Sequence, residues 1–288
     1  MEKYTGREIA IFTDIHGLLY PTIAILEDIK KRGITEIYSL GDNIGEGPSP
    51  SQVLDLLGEY NVTVINGNSE DYVTLGIEPF ASYFYDEKTA NYEWTVSQLS
   101  SEQINQLKKN KHSYDLVVGG ELIGLCHFAN DVRIDFKKYG TWTYQRSINL
   151  GIGNPQEQFY YTNSSEQKDE AFYFSERGWP CDKGFISVIN EPLFGGKTID
   201  VYDEIVEGHT HFKYLTEDEI VKVRSIRAAG IAYGKDPIDF ASYIIIREKE
   251  RGYDVEEILV PFNRELMLKS IDDCTMPYKN VINTYVSR

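Results

Sequence analysis

Three short, mostly apolar runs near the start of the chain each lead to a polar residue, and this pattern limits the fold more than any other feature. The runs are residues 9–12, 36–40 and 62–65, and the polar residues that follow them are Asp14, Asp42 and Asn68. Stretches with helical spacing of apolar residues lie between the runs, around residues 23–29 and 53–57, and Gly33 after the first of them indicates a helix end. Alternating strands and helices predict a sheet with parallel strands, in which ligands bind beyond the carboxyl ends of the strands. We therefore predict an α/β fold with a binding site at that edge.

The later part of the chain predicts a second sheet that faces the first. Residues 116–126 have the pattern of a hairpin that leads to His127, and further strands are expected at 204–207, 221–224, 243–247 and 258–260. Helices are expected around residues 89–99 and 264–271. Residues 130–198 lack clear periodicity, so we interpret them as an inserted cap over the site and treat residues 1–288 as a single domain.

Four of the five histidines in the chain occur in motifs together with other common metal ligands. The residues concerned are Asp14, His16, Asp42, Asn68, His127, His209 and His211. Taken singly, each motif has an ordinary structural explanation, such as a turn at Asn68 or a core histidine at His127. Their joint occurrence at strand ends favours a metal site.

The donor types and their number predict which metals bind. Residues two apart on an extended segment point to the same side, so Asp14 can act with His16, and His209 with His211. A mixed set of Asp, Asn and His suits first-row divalent metals. Seven ligands exceed the four that one structural zinc takes, so two metals are expected, with Asp42 as a bridge between them.

The overall charge restricts the partners. Formal net charge is -16, which disfavours binding of long nucleic acid. No apolar run approaches the roughly 20 residues of a membrane span, and the N-terminus lacks the apolar stretch of a signal peptide. We therefore expect a cytoplasmic protein with no membrane partner. The oligomeric state stays open.

These motifs resemble those of the calcineurin-like metallophosphoesterase superfamily. The resemblance covers roughly residues 7–75, 115–130 and 203–262, and it looks closest to the small bacterial and archaeal phosphodiesterases, which include hydrolases of diadenosine tetraphosphate. It implies two facing mixed sheets flanked by helices in four layers. It also implies one metal held by Asp14, His16, Asp42 and His211, and a second held by Asp42, Asn68, His127 and His209.

The chain departs from the family pattern next to Asn68. Many members carry a histidine there that protonates the leaving group, whereas this chain has Ser69, followed by Glu70 and Asp71. Loss of a general acid matters most for a poor leaving group. We consider Asp71 a candidate for a carboxylate that orients one of the ligand histidines.

The expected function is hydrolysis of a small phosphodiester or a nucleotide, for example a dinucleoside polyphosphate. Hydrolysis would proceed by in-line attack of a metal-bridging hydroxide, with Asp42, Asn68 and His127 as the catalytic candidates. Manganese is the favoured metal, iron, zinc, nickel and cobalt also fit, and no organic cofactor is predicted. The alternatives are a phosphomonoesterase of the same fold and a non-catalytic, metal-binding scaffold. A nuclease is disfavoured by the acidic charge.

Overall fold

Ten strands form two five-stranded mixed sheets in the computed structural model, which describes residues 4–78, 86–127, 201–209, 211, 213–217, 221–231, 239–279 and 282. The strands are β1 (Tyr4–Phe12), β2 (Glu36–Ser39), β3 (Thr63–Val64), β4 (Ser113–Val118), β5 (Glu121–Cys126), β6 (Glu204–Glu207), β7 (Tyr214–Glu217), β8 (Lys222–Ser225), β9 (Phe240–Lys249) and β10 (Tyr253–Pro261). The helices are α1 (Leu19–Arg32), α2 (Pro50–Glu59), α3 (Asn68–Leu75), α4 (Asp86–Gln98), α5 (Ser101–Leu107) and α6 (Arg264–Asp273).

The first sheet has the strand order β10-β9-β1-β2-β3. Its strands β1, β2 and β3 are parallel, as the alternating pattern predicts, while β9 and β10 are antiparallel neighbours. The prediction that residues 243–247 and 258–260 belong to the second sheet was wrong, because β9 pairs with β1. Ile245 packs on the helix side of this sheet, whereas Ile244 and Ile246 pack on the opposite side. Burial on both faces is what a strand inside a covered sheet requires.

The second sheet has the strand order β4-β5-β6-β8-β7. The predicted hairpin is confirmed as β4 and β5, and β5, β6 and β8 run parallel to one another. Strand β7 was not predicted; it pairs antiparallel with β8 at one edge. Because β5 and β6 are parallel, the residues that follow them lie at the same edge of this sheet.

Alternating residues of β1 separate two apolar clusters. Ile9 and Ile11 pack against residues of the second sheet, whereas Ala10 and Phe12 pack against the side chains of α1 and α2. This two-residue period is the one a strand imposes. The two sheets therefore face each other across one cluster, with helices on the outer side of the first sheet, and the predicted fold class is confirmed.

The helix predictions were confirmed where apolar spacing was regular. Helix α1 ends at Gly33, whose φ of 77° allows its amide to bond the carbonyls of the last turn. The predicted helices around 53–57, 89–99 and 264–271 correspond to α2, α4 and α6. Helices α3 and α5 were not predicted. The predicted cap at 130–198 lies entirely outside the described residues. Within the described ranges, no helix has both the length and the apolar character needed to cross a membrane.

Candidate metal centre

Two clusters of side chains meet at the carboxyl ends of strands from both sheets. Asp14, His16 and His211 form one cluster, and Asp42, His127 and His209 form the other. In the first, His16 Nε2 lies 3.0 Å from His211 Nε2, and Asp14 Oδ1 lies 3.2 Å from His211 Nε2. The structure thus brings six of the seven predicted ligands into two compact groups.

The second cluster includes the seventh residue. His127 Nε2 lies 3.0 Å from His209 Nδ1 and 3.1 Å from Asn68 Oδ1. Asp42 lies between the clusters, since its Oδ1 is 3.5 Å from His127 Nε2 and its Oδ2 is 3.9 Å from His16 Nε2. This is the position that a carboxylate bridging two cations requires.

The pairs two residues apart converge for a different reason from the one expected. Asp14 and His16 have φ values of 53° and 49°, and His209 and His211 have 64° and 61°, so neither pair lies on an extended segment. Asp42 also has a positive φ, of 52°. Left-handed backbone is uncommon outside glycine, and such strain concentrates at functional sites. Asp14 and His16 belong to one cluster, whereas His209 and His211 belong to different clusters.

Hydrogen bonds fix one carboxylate oxygen of Asp14, and the other oxygen lies toward the cluster. Asp14 Oδ2 accepts from Thr13 Oγ1 at 2.7 Å and from the His209 amide at 2.9 Å. Asp14 Oδ1 is buried and accepts no geometrically sound hydrogen bond from any part of the chain that the structure describes. A buried, unsatisfied carboxylate oxygen beside two imidazole nitrogens is a good ligand for a divalent cation.

Glu70 connects the two loops that carry Asp42 and Asn68. Its Oε2 accepts the amides of Asp42 at 2.9 Å and Gly67 at 2.8 Å, and its Oε1 accepts the amide of Asn43 at 2.7 Å. The bond from Gly67 also satisfies a free amide at the start of α3. Sequence reasoning missed this role, although a glutamate three residues after the residue that precedes a helix is a known sequence signal.

Close backbone contacts require glycine between the ligand segments. A Cβ at Gly67 would lie 2.4 Å from Asp42 Oδ1, and a Cβ at Gly41 would lie 2.5 Å from the Gly67 nitrogen. A Cβ at Gly208 would lie 2.6 Å from Asp14 Oδ2. Contacts this short leave no room for a side chain, so these glycines permit the convergence of the ligands.

Electrostatic effects link the ligands before any metal binds. Burial raises the pKa of Asp14, but the electrostatic attraction of His211 outweighs it and lowers the pKa to about 2. Burial lowers the pKa of His127, yet the neighbouring Asp42 raises it to about 10. The metal-free site therefore holds carboxylates in their charged form and a proton on His127, which a metal must displace.

A comparison with known proteins agrees with this geometry. A family model described as calcineurin-like phosphoesterase matches residues 7–213. The chain belongs to the calcineurin-like phosphoesterase family. The resemblance identified in the sequence is thereby confirmed, and family membership supports the predicted class of metal-dependent phosphoester hydrolase.

Individual relatives of this phosphoesterase family member are more distant. An uncharacterized protein of Methanocaldococcus jannaschii is 36% identical over 99 residues, which are 34% of this chain and 40% of that protein. A hypothetical protein from Pyrococcus horikoshii has a solved structure with a TM-score of 0.63 at 14% identity, covering 98% of each chain. A metallophosphoesterase from Sphaerobacter thermophilus gives a TM-score of 0.55 at 18% identity, again over 98% of each chain. These two structures show a shared fold.

Two neighbours of the ligands behave differently from the family pattern and from our expectation. The backbone amide of Ser69, at the position of the family's histidine, donates a hydrogen bond to Asp42 Oδ1 at 2.8 Å, and the Ser69 hydroxyl lies 2.8 Å from the Tyr92 hydroxyl.

The role predicted for Asp71 was wrong. Both of its carboxylate oxygens lie 3.0 Å from Nε2 of His112, which belongs to neither cluster. Asp71 lies three residues after Asn68, on the same side of α3, but its carboxylate contacts His112 and not a histidine of either cluster.

Proposed function

We propose that this member of the calcineurin-like phosphoesterase family is a dinuclear, metal-dependent hydrolase of small phosphodiesters or nucleotides. The observation that carries the proposal is the pair of clusters joined by Asp42, with donors close enough to share two cations. Two bound divalent cations would neutralise charge on the phosphoryl group and acidify a water molecule, which addresses the large barrier to phosphate ester hydrolysis.

Each cluster supplies the ligands of one metal in this proposal. Asp14, His16 and His211 hold the first and share Asp42 with the second, which takes Asn68, His127 and His209 as well. Mixed oxygen and nitrogen donors favour manganese, and they also fit iron, zinc, nickel or cobalt. His127 Nδ1 donates a hydrogen bond to the Leu40 carbonyl oxygen at 2.9 Å, which fixes the ring so that Nε2 points into the cluster.

The chain's own groups orient the substrate. Asn68 and His127 lie next to each other and close to Asp42, so they are the candidates to contact a phosphoryl oxygen. Because these groups converge, they reduce the entropic cost of bringing the reacting atoms together.

Ser69 favours substrates with a good leaving group. Its hydroxyl is engaged with Tyr92 and its amide with Asp42, and an aliphatic hydroxyl is a poor proton donor at neutral pH. A nucleotide or an aryl alcohol leaves with little need for protonation, whereas a simple alkoxide needs an acid. This supports a nucleotide such as a dinucleoside polyphosphate as the substrate. The cytoplasmic location stays a prediction, as does the cap at 130–198.

Metal content and hydrolysis test the proposal together. Wild type loaded with manganese is expected to hold two ions per chain by mass spectrometry and to hydrolyse bis-p-nitrophenyl phosphate and diadenosine tetraphosphate. Asp42→Asn is expected to lower kcat/KM by roughly 100-fold or more, because it weakens both metals at once. Glu59→Gln, on the exposed face of α2, is the control. Two bound metals without hydrolysis of any phosphoester would exclude the enzyme and leave the scaffold.

A comparison of ester classes separates the second enzymatic possibility. A phosphomonoesterase of the same fold would turn over p-nitrophenyl phosphate faster than its diester. The proposed enzyme is expected to show the reverse preference.

A further inference from the structure

Glu46 places an additional carboxylate beside the metal centre, outside both ligand clusters. The residue is 8% exposed, and its backbone has a φ of 63°. Over the ranges that the structure describes, its carboxylate takes part in no hydrogen bond or ion pair. No direct bond to a described residue therefore accounts for this carboxylate.

The loop around Glu46 is held in a tight, strained turn. The Gly47 amide bonds to the Gly45 carbonyl at 2.7 Å, two residues earlier, and Glu46 lies between them. A three-residue turn with a positive φ at its centre is rare and strained. The Glu46 amide is fixed by Asn91 Oδ1 at 3.0 Å, so α4 holds the turn in place. Strain of this kind persists only where the surrounding structure enforces it.

The turn lies between His16 and Tyr92. A Cβ at Gly47 would lie 2.0 Å from the His16 carbonyl oxygen, and a Cβ at Gly45 would lie 2.6 Å from the Tyr92 hydroxyl. Burial lowers the pKa of His16, and Glu46 heads the charges that oppose this, ahead of Asp42. Glu46 therefore lies close enough to His16, a member of the first cluster, to act on it electrostatically.

A structural role does not explain this side chain. The hydrogen bond that holds the loop comes from the backbone amide of Glu46, which any residue except proline would supply. Within the described part of the chain, the carboxylate stabilises no neighbour by a direct bond. What it adds is one carboxylate close to His16 in the first cluster.

We propose that the Glu46 carboxylate is a specificity determinant that disfavours phosphomonoesters relative to phosphodiesters at the metal centre. This inference rests on the proposed phosphodiesterase function. A monoester is dianionic at about pH 8, because its second pKa is near 6, whereas a diester carries one negative charge. Repulsion from Glu46 therefore acts more strongly on the monoester, and cations at Asp14 and Asp42 attract both.

The decisive variant is Glu46→Gln, which removes the charge and keeps the size. The affinity of the manganese-loaded protein for inorganic phosphate, measured by calorimetry at about pH 8, is expected to rise about tenfold, the size of effect that one charge produces in a partly buried site. The ratio of kcat/KM for p-nitrophenyl phosphate to that for bis-p-nitrophenyl phosphate is expected to rise by a similar factor. Manganese content is expected to stay the same.

Two further variants make the result specific. Glu46→Asp keeps the charge and is expected to keep the wild-type ratio of monoester to diester turnover. Glu59→Gln removes an exposed charge on α2 and is expected to change neither phosphate affinity nor that ratio.

Different outcomes separate the inference from the proposed function. Unchanged or weaker phosphate binding in Glu46→Gln would overturn the inference, as would a loss of manganese, which would make Glu46 a metal ligand. If wild type hydrolyses no phosphoester, the proposed function fails, while the phosphate affinities still decide whether Glu46 repels a dianion.

Discussion

Glu70 allows the most direct test of how the ligand loops are held together. Its two carboxylate oxygens accept four hydrogen bonds: Oε2 from the amides of Asp42 and Gly67, and Oε1 from the amide and the side-chain Nδ2 of Asn43. Replacement by glutamine turns one oxygen into an NH₂ group. Whichever oxygen is replaced, two donors lose their acceptor and face another donor.

The expected loss of stability follows from those two bonds. Leaving a buried donor without an acceptor costs about 1–3 kcal/mol, and removal of the buried charge offsets part of this cost, so Glu70→Gln is expected to lower the free energy of unfolding by about 1–4 kcal/mol. Typical domains have only about 5–15 kcal/mol in total. At about pH 8 the carboxylate is ionised, because burial, with Asp42, raises its pKa only to about 7.

Urea unfolding at about pH 8, followed by circular dichroism, measures this loss in the metal-free protein. Glu59→Gln is the matched control and is expected to stay within about 0.5 kcal/mol of wild type, because that side chain is exposed. Glu70→Asp keeps the charge but is one methylene shorter, so it cannot span both loops and is expected to give an intermediate loss.

A second measurement distinguishes positioning of the ligands from general stabilisation. Since Glu70 sets the distance between Asp42 and the start of α3, manganese affinity is expected to fall in Glu70→Gln even where the protein is fully folded. A loss of less than about 1 kcal/mol, with unchanged manganese affinity, would refute the reasoning.

Three further predictions follow from the geometry of the site. His211→Ala removes a donor from one cluster, so bound manganese is expected to fall from two ions to about one per chain by mass spectrometry, and retention of two would contradict the ligand assignment. Burial lowers the pKa of His127, but Asp42 raises it to about 10. Below that pH the metal must displace a proton from His127, so manganese affinity is expected to rise with pH between about 6 and 9. Calorimetry in two buffers should detect the released proton. Gly67→Ala puts a Cβ 2.4 Å from Asp42 Oδ1, so it is expected to weaken manganese binding and to destabilise the fold by about 1–3 kcal/mol in urea unfolding. The control is Gly58→Ala, whose Cβ meets nothing within 4 Å and which is expected to be neutral or stabilising.

Local sequence patterns were sufficient where the structure depends on local rules. Apolar spacing followed by glycine predicted α1 and its end at Gly33, which has the left-handed φ that such an end requires. Polar residues just past β1, β2 and β3 predicted which edge of the first sheet carries the site. The order of the histidine motifs predicted which side chains would meet, and the structure brings them together.

Such local patterns do not predict which strands, distant in the sequence, pair with each other. The isoleucine-rich sequence of β9 fits a strand of either sheet equally well, and only its pairing with β1 decides to which sheet it belongs. Helix α3 was missed because its first turn reads as a loop; its stabilising contact, Glu70 with Gly67 and Asp42, is partly a tertiary one. The spacing of Asp14 and His16 suggested an extended segment, whereas left-handed backbone turns both side chains to the site.

The distribution of the ligands over the two sheets explains why backbone strain and close glycine contacts concentrate at this edge. Asp14, Asp42 and Asn68 follow strands of the first sheet, whereas His127 and His209 follow strands of the second. Each cluster therefore contains donors from both sheets, and a cation bound to either one links them. Without cations, buried carboxylates and imidazoles lie within 4.8 Å of one another in each cluster, an arrangement with a large desolvation penalty. Packing between the sheets must hold this arrangement before the metals bind, which is consistent with the apolar cluster of β1, β5 and β6 directly beneath it.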